Sequence, residues 1–480
     1  MSEHHHLYIG GEWVAPLGSG TITVVSPSTE EVIGVVPEAS EADVDRAVDA
    51  ARAAFDDPNG WSSWAPAARA EVLERFAAGL EARAETTATT VSSQNGMPLQ
   101  ISQAFEAVFP ALLLRYYGEL VASRGAEERR DAMFGGTTVV RREPIGVAAA
   151  IVPWNFPQAL AFLKIAPALA AGCTLVLKPA PETVLDSYVM AEAAAEAGLP
   201  AGVLSIVPAG REVGAHLVAH PGVDKVAFTG STAAGRSIAE TCGRLLRPVT
   251  LELGGKSAAI VLDDADLASN FESFFGATLL NNGQTCFLGT RVLAPRNRYD
   301  EIVEIVTSLA ANLTVGDALD PSTQIGPLVS ARQRERVESY IAKGLAEGGR
   351  ITTGGGRPDG LDRGFFVSPT VFADVDNNHT IAQEEIFGPV LAVIPYADEA
   401  EAIRIANDSD YGLGGSVWSA DPERAAAVAR KVRTGSIGIN SYVNDPVSPF
   451  GGVKASGLGR EMGPEGLANY EVLKSIYQAP

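Results

Sequence analysis

Val147-Ala148-Ala149-Ala150-Ile151-Val152 runs without a polar residue into Pro153-Trp154-Asn155-Phe156-Pro157, and an apolar helical stretch over 158–171 follows. A polar-free run of strand length is what a parallel sheet covered on both faces requires. The alternation then repeats: strand-like 174–177, helix 184–197, strand-like 203–207, a short helix near 212–219, and strand-like 225–228. Strands alternating with helices predict right-handed crossovers and a parallel α/β sheet, with ligands received beyond the carboxyl ends of the strands.

Working outward, a second α/β rhythm follows residue 253. Strand-like runs at 258–262, 291–294, 390–394, 416–418 and 436–439 are interleaved with helices at 299–312, 330–347, 399–407 and 422–432. Upstream stand short strands at 7–9 and 21–25 and helices at 41–55 and 67–88, while the charged, Gly-punctuated 121–142 segment reads as an excursion, a hairpin in form. A chain of 480 residues is too long for one core and predicts two or three lobes.

With 58 Asp+Glu against 37 Lys+Arg the chain carries a net charge of −21, which disfavours nucleic acid and anionic membranes as partners. Cys173, Cys242 and Cys286 are widely spaced, so neither a disulfide framework nor a zinc site is suggested, and a reducing cytoplasm fits. The start has no apolar leader, and the 156–171 stretch is interrupted by Lys164 and Pro167. The His4 to His6 run reads as a tag remnant or a solvated start. The remaining histidines have no Ser or Cys nucleophile motif beside them.

Four features carry chemistry. Cys286 lies in Asn281-Asn282-Gly283-Gln284-Thr285-Cys286, a polar loop that suits a reactive thiol, although a buried structural thiol is an equal reading. Glu252, between Leu251 and Leu253, is either a buried carboxyl raised toward useful basicity or a solvated residue on a pleated edge. Gly255-Lys256-Ser257 mimics a phosphate-loop ending, but Thr250 stands where that loop needs Gly. Phe228-Thr229-Gly230-Ser231 places small residues between a strand and a helix start, where free N–H groups can meet a pyrophosphate or simply be capped. No G-x-G-x-x-G occurs, so a bound dinucleotide would use a variant Rossmann turn. In Pro153 to Pro157 two prolines fix the backbone around Asn155, whose amide could donate to a developing oxyanion or close its own turn.

Together these segments, with Lys178-Pro179, Glu384-Glu385-Ile386-Phe387-Gly388-Pro389, Pro449-Phe450-Gly451-Gly452 and Ser456-Gly457 to Arg460-Glu461, resemble the aldehyde dehydrogenase superfamily in order and spacing over almost the whole chain. The resemblance implies a Rossmann-like dinucleotide-binding domain (1–122 and 144–253), an α/β catalytic domain (254–455) and an oligomerising hairpin and tail (123–143 and 456–480). It implies Cys286 as nucleophile, Asn155 as oxyanion donor and Glu252 as the base that cleaves a thioester. The cofactor would be NAD, with NADP open, held by Trp154, Lys178, Gly230, Ser231, Glu385 and Phe387, and no metal is needed. Where many NAD-preferring members carry a glutamate, this chain has Pro181, with Glu182 one residue later.

The substrate pocket would be lined by Phe156, Leu160, Leu163, Leu280, Thr285, Phe287, Tyr442, Asn444 and Phe450. None is charged, which favours a medium-length apolar, terpenoid or aromatic aldehyde over a semialdehyde or a quaternary-ammonium aldehyde. Lys164, about 100° from Leu163 on a helix, is expected to point away from that pocket. Members of the family pair through the hairpin and a C-terminal strand, so a homodimer or homotetramer is expected. Two other readings stand beside this one: transfer of the acyl group to a CoA thiol, which would not need Glu252, and a non-catalytic binding protein on the same fold.

Overall fold

The computed structural model describes residues 2–480. Its first large sheet runs Gly457–Leu458, Val249–Glu252, Lys225–Thr229, Val147–Ile151, Thr174–Lys178, Leu204–Ile206, Leu7–Ile9 and Glu12–Val14. From Val249–Glu252 to Leu204–Ile206 all neighbours are parallel, and the two flanks are antiparallel. Chain order reverses between Val147–Ile151 and Lys225–Thr229, which opens a crevice at their carboxyl ends.

All five residues of Val147–Ile151 are buried, as their polar-free sequence requires. The helix Pro157–Ala171 is likewise buried around its whole circumference, Lys164 included, and ends on Gly172 in the left-handed region.

The second sheet runs Arg350–Thr353, Thr370–Ala373, Val390–Tyr396, Arg291–Pro295, Ala258–Val261, Gly415–Trp418 and Gly438–Ile439, parallel except for the first pair. A third, three-stranded antiparallel sheet joins Glu127–Asp131, Thr137–Pro144 and Glu471–Gln478. Met133 and Phe134 at its turn are 98% and 97% exposed.

Two expectations need correcting. The helix read over 67–88 is two helices, Pro66–Glu81 and Ala84–Asn95. Arg83 sits at the break and pairs with Glu192 and Glu196, turning the second helix against Leu185–Glu196. In the His4 to His6 run, His5 and His6 are solvated as expected, but His4 is not: its backbone donates to Val35, and its ring stacks on Tyr188 at 3.7 Å. Among the described residues no helix is long and apolar enough to cross a membrane.

Candidate active site

Parallel register lays the candidate residues along one sheet edge. Glu252 is paired with Thr229, Phe228 with Ile151, and Ile151 with Lys178. Pro153 to Pro157 therefore leaves the sheet beside Gly230 and Ser231, on the two sides of the topological reversal.

Cys286 follows a 3₁₀ turn, Asn281–Gly283, whose Asn281 and Asn282 have φ of +52° and +60°. Side-chain bonds hold this strained turn in place. Asn282 donates to Gly96 and Pro327 and accepts from Gly326, while Gln284 accepts from Val329. Asn155, 4% exposed, donates through Nδ2 to the Gln284 carbonyl at 2.9 Å, which leaves its second amide hydrogen free. Cys173 and Cys242 are buried, whereas Cys286 keeps solvent access. Burial, then the charges of Glu385 and Glu252, push the Cys286 thiol up, so it rests protonated.

Glu252 ends its strand 2% exposed, with neither carboxylate oxygen hydrogen-bonded to a described residue. Burial first and the Glu461 charge second hold it well above the carboxylate range, opposed by Lys164. Lys164 Nζ contacts Glu461 Oε1 and Thr229 Oγ1, each at 2.7 Å, and is fully buried. It does point away from the apolar pocket, but into the surroundings of Glu252. Sequence reasoning missed this pair because an all-apolar helix has no polar face to orient a lone lysine.

At the crevice Lys178 Nζ donates to the carbonyls of Ala209 and Pro179, and burial lowers its ammonium to about 8. Ser231 caps the helix Thr232–Arg244 by accepting from Ala234 N, and N–H donors of that helix start are what a phosphate can meet. A side chain at Gly230 would strike the Phe228 ring, so the backbone stays bare there. Trp154 and Phe387 meet edge to face at 5.4 Å. Glu385 accepts from Gly255 N at 3.0 Å and shares one cleft with Phe387 and Cys286. The donors, bare turn and aromatic pair fit a dinucleotide.

Of the expected pocket residues, Phe156, Leu160 and Leu280 pack in one apolar cluster with Phe109 and Ile101. Leu163, Phe450, Phe287 and Cys286 join the main core next to it, with Leu160 in both. Phe287 stacks on Tyr442 at 4.4 Å, and Thr285 bonds to the Leu280 carbonyl. Asn444 stands apart, half-buried on the loop after Tyr442, with no side-chain bond to the others. Phe105, edge-on to Phe156 at 6.0 Å, was missed and is 38% exposed. It lies in a helix without motif neighbours, and only the fold brings it here. Elsewhere, His216 and His220 meet Asp45. His216 Nε2 hydrogen-bonds to Asp45 Oδ1 at 2.6 Å, and His220, whose Nδ1 accepts the Gly222 N–H, approaches the same oxygen through Nε2 at 3.3 Å.

The family model described as "Aldehyde dehydrogenase family" matches residues 13–476. A geranial dehydrogenase of Castellaniella defragrans is 55% identical over 475 residues, covering 99% of both chains. A crystal structure of Mycobacterium tuberculosis aldehyde dehydrogenase complexed with NAD+ superposes with a TM-score of 0.97 at 50% identity, over 99% of this chain and 98% of that one. A Pseudomonas syringae aldehyde dehydrogenase mutant complexed with NAD+ and octanal gives a TM-score of 0.94 at 41% identity, over 98% and 96%. The chain belongs to the aldehyde dehydrogenase family. It is accordingly an oxidoreductase that acts on aldehydes.

Proposed function

We propose that this chain oxidises medium-length apolar aldehydes, terpenoid aldehydes among them, to carboxylic acids with NAD. The observation that carries the reading is the convergence of a solvent-accessible thiol, an amide with a free donor and an unpartnered buried carboxyl, from three distant segments, beside an uncharged apolar wall. The relatives that act on geranial or hold octanal support the substrate class.

In this reading the Cys286 thiol releases its proton to water as Sγ adds to the aldehyde carbon, and the thiohemiacetal oxyanion accepts hydrogen bonds from the free Asn155 amide hydrogen and the Cys286 backbone N–H. Lys178, Ser231, Gly230 and Trp154 would hold the adenosine and pyrophosphate half of NAD, and Glu385 with Phe387 the nicotinamide ribose. When bound, the nicotinamide accepts the hydride. Glu252, unpartnered and raised in pKa, then takes a proton from the water that attacks the thioester. A carboxyl so placed has no task in acyl transfer to CoA, which disfavours that alternative.

The same reading takes the domains as 1–122 with 144–253, and 254–455. It takes the exposed three-stranded sheet as a self-association surface for a homodimer or homotetramer in the cytoplasm. An aldehyde panel assayed with NAD tests the substrate class. kcat/KM should rise from acetaldehyde toward octanal and geranial, by at most about 0.8 kcal/mol per buried methylene. A clear preference for succinic semialdehyde or betaine aldehyde would overturn the pocket reading and leave the reaction class standing.

A further inference from the structure

Asn155 stands immediately before a helix that cannot cap itself. The N-cap residue of Pro157–Ala171 is Phe156, which has no side-chain acceptor, and Pro157 has no N–H to satisfy. The orphan donors are the N–H groups of Gln158 and Ala159, both of which are buried. Water does not reach them, so a side chain has to.

That side chain comes from about fifty residues upstream. Glu106 lies just after the helix Leu99–Phe105 and is 0% exposed. Its Oε2 accepts from Gln158 N at 2.7 Å and from Ala159 N at 3.3 Å. Its Oε1 has no hydrogen-bond partner among the described residues, so all the hydrogen bonding of this buried carboxyl goes to one helix start. Burial, then the Asp186 charge, raise the Glu106 carboxyl to about 8, so it completes the turn as a hydrogen-bond acceptor rather than through its charge.

The other side of Asn155 is held by amides. Asn281 Nδ2 donates to the Asn155 carbonyl at 2.9 Å, and Asn95 Nδ2 donates to the carbonyls of Asn155 and Trp154 at 3.3 and 3.2 Å. Both asparagines are 1% exposed or less. Asn155 thus hangs between a clamped carbonyl and a helix whose first turn, among the described residues, is completed only by Glu106.

We infer that Glu106 is a positioning residue for the oxyanion donor: by capping the Pro157–Ala171 helix from outside, it fixes the direction of the Asn155 amide. The inference rests on the reading of Asn155 as that donor. An ordinary buried acid would contribute to stability alone. Glu106 differs because, among the described residues, its carboxyl's only partners are the two N–H groups next to the segment that aims Asn155. Misplacement by an ångström at such a donor costs up to roughly 10²-fold in rate.

The experiment is a double-mutant cycle on the full-length enzyme, which reads the pre-steady-state burst of NADH with octanal. Glu106→Ala should slow the burst roughly tenfold or more with KM for NAD unchanged, and Glu106→Gln, which keeps one acceptor, should recover most of it. In an Asn155→Ala background, Glu106→Ala should cost almost nothing further, while its loss of melting temperature persists. Equal fold losses in both backgrounds, or a parental burst in Glu106→Ala, would overturn the inference. If the Ala variant fails to fold, Glu106→Asp carries the cycle, since it keeps the carboxyl and withdraws it from Gln158 N. If Asn155→Ala alone bursts at the parental rate, the reading of Asn155 fails instead, and the inference with it.

Discussion

The Asn155 side-chain amide donates to the Gln284 carbonyl at 2.9 Å, joining two loops that are 129 residues apart in the chain. One leaves the carboxyl end of Val147–Ile151 and the other leads into Cys286. The donor and the nucleophile are thereby fixed relative to each other by a hydrogen bond between buried groups, which is the preorganisation an oxyanion site requires.

Loss of that donor should be costly and selective. Asn155→Ala is expected to lower the burst rate roughly 10²–10³-fold, the usual effect of one oxyanion donor. Affinity for NAD, measured by fluorescence titration, should change little.

The buried Lys164–Glu461 pair makes a prediction about pH. Glu252 must be deprotonated to act as base, so turnover should rise with pH through a pKa above the ordinary carboxylate range. Lys164 lowers that pKa and Glu461 raises it. Lys164→Met should therefore move the kcat–pH profile to higher pH, and Glu461→Gln should move it to lower pH. Profiles that stay in place in both variants would detach the pair from Glu252.

Cofactor choice follows from the surroundings of Lys178. Pro181 supplies no carboxylate, Glu182 lies 3.6 Å from Arg332, and Glu38 already accepts the Gly210 N–H at 3.0 Å. Discrimination against NADP should accordingly be weak. Pro181→Glu should raise the NAD:NADP ratio of kcat/KM by roughly tenfold, or about 1.4 kcal/mol. An unchanged ratio would remove the argument.

The exposed hairpin makes a separate prediction. With Met133 and Phe134 almost wholly exposed and Leu473 69% exposed, the third sheet presents an apolar surface that a lone chain leaves in water. Met133→Asp with Phe134→Asp should lower the mass seen by light scattering at micromolar concentration without lowering the melting temperature of the remaining subunit.

How much of this was legible in the sequence depended on the range of the contacts involved. Val147–Ile151 and Thr174–Lys178 were plain because strands covered on both faces have continuous apolar centres. Arg350–Thr353 and Thr370–Ala373 were not, being four residues long and bordered by glycine or proline. Cys286, Glu252 and Asn155 stood out because each sits in an unusual local string. Asn95, Glu106 and Glu461 act on groups from 52 to 297 residues away, and no local pattern encodes such a pairing. Strand order has the same character: the reversal beside Val147–Ile151 is a property of the assembled sheet.

The most direct test of the whole account is to trap the acyl enzyme. Glu252→Gln, incubated with octanal and NAD, should release about one NADH per subunit in a burst and then stall, and peptide mass spectrometry should find an octanoyl thioester on Cys286. Steady turnover at the parental rate by Glu252→Gln, or NADH formation with Cys286 unmodified, would contradict it.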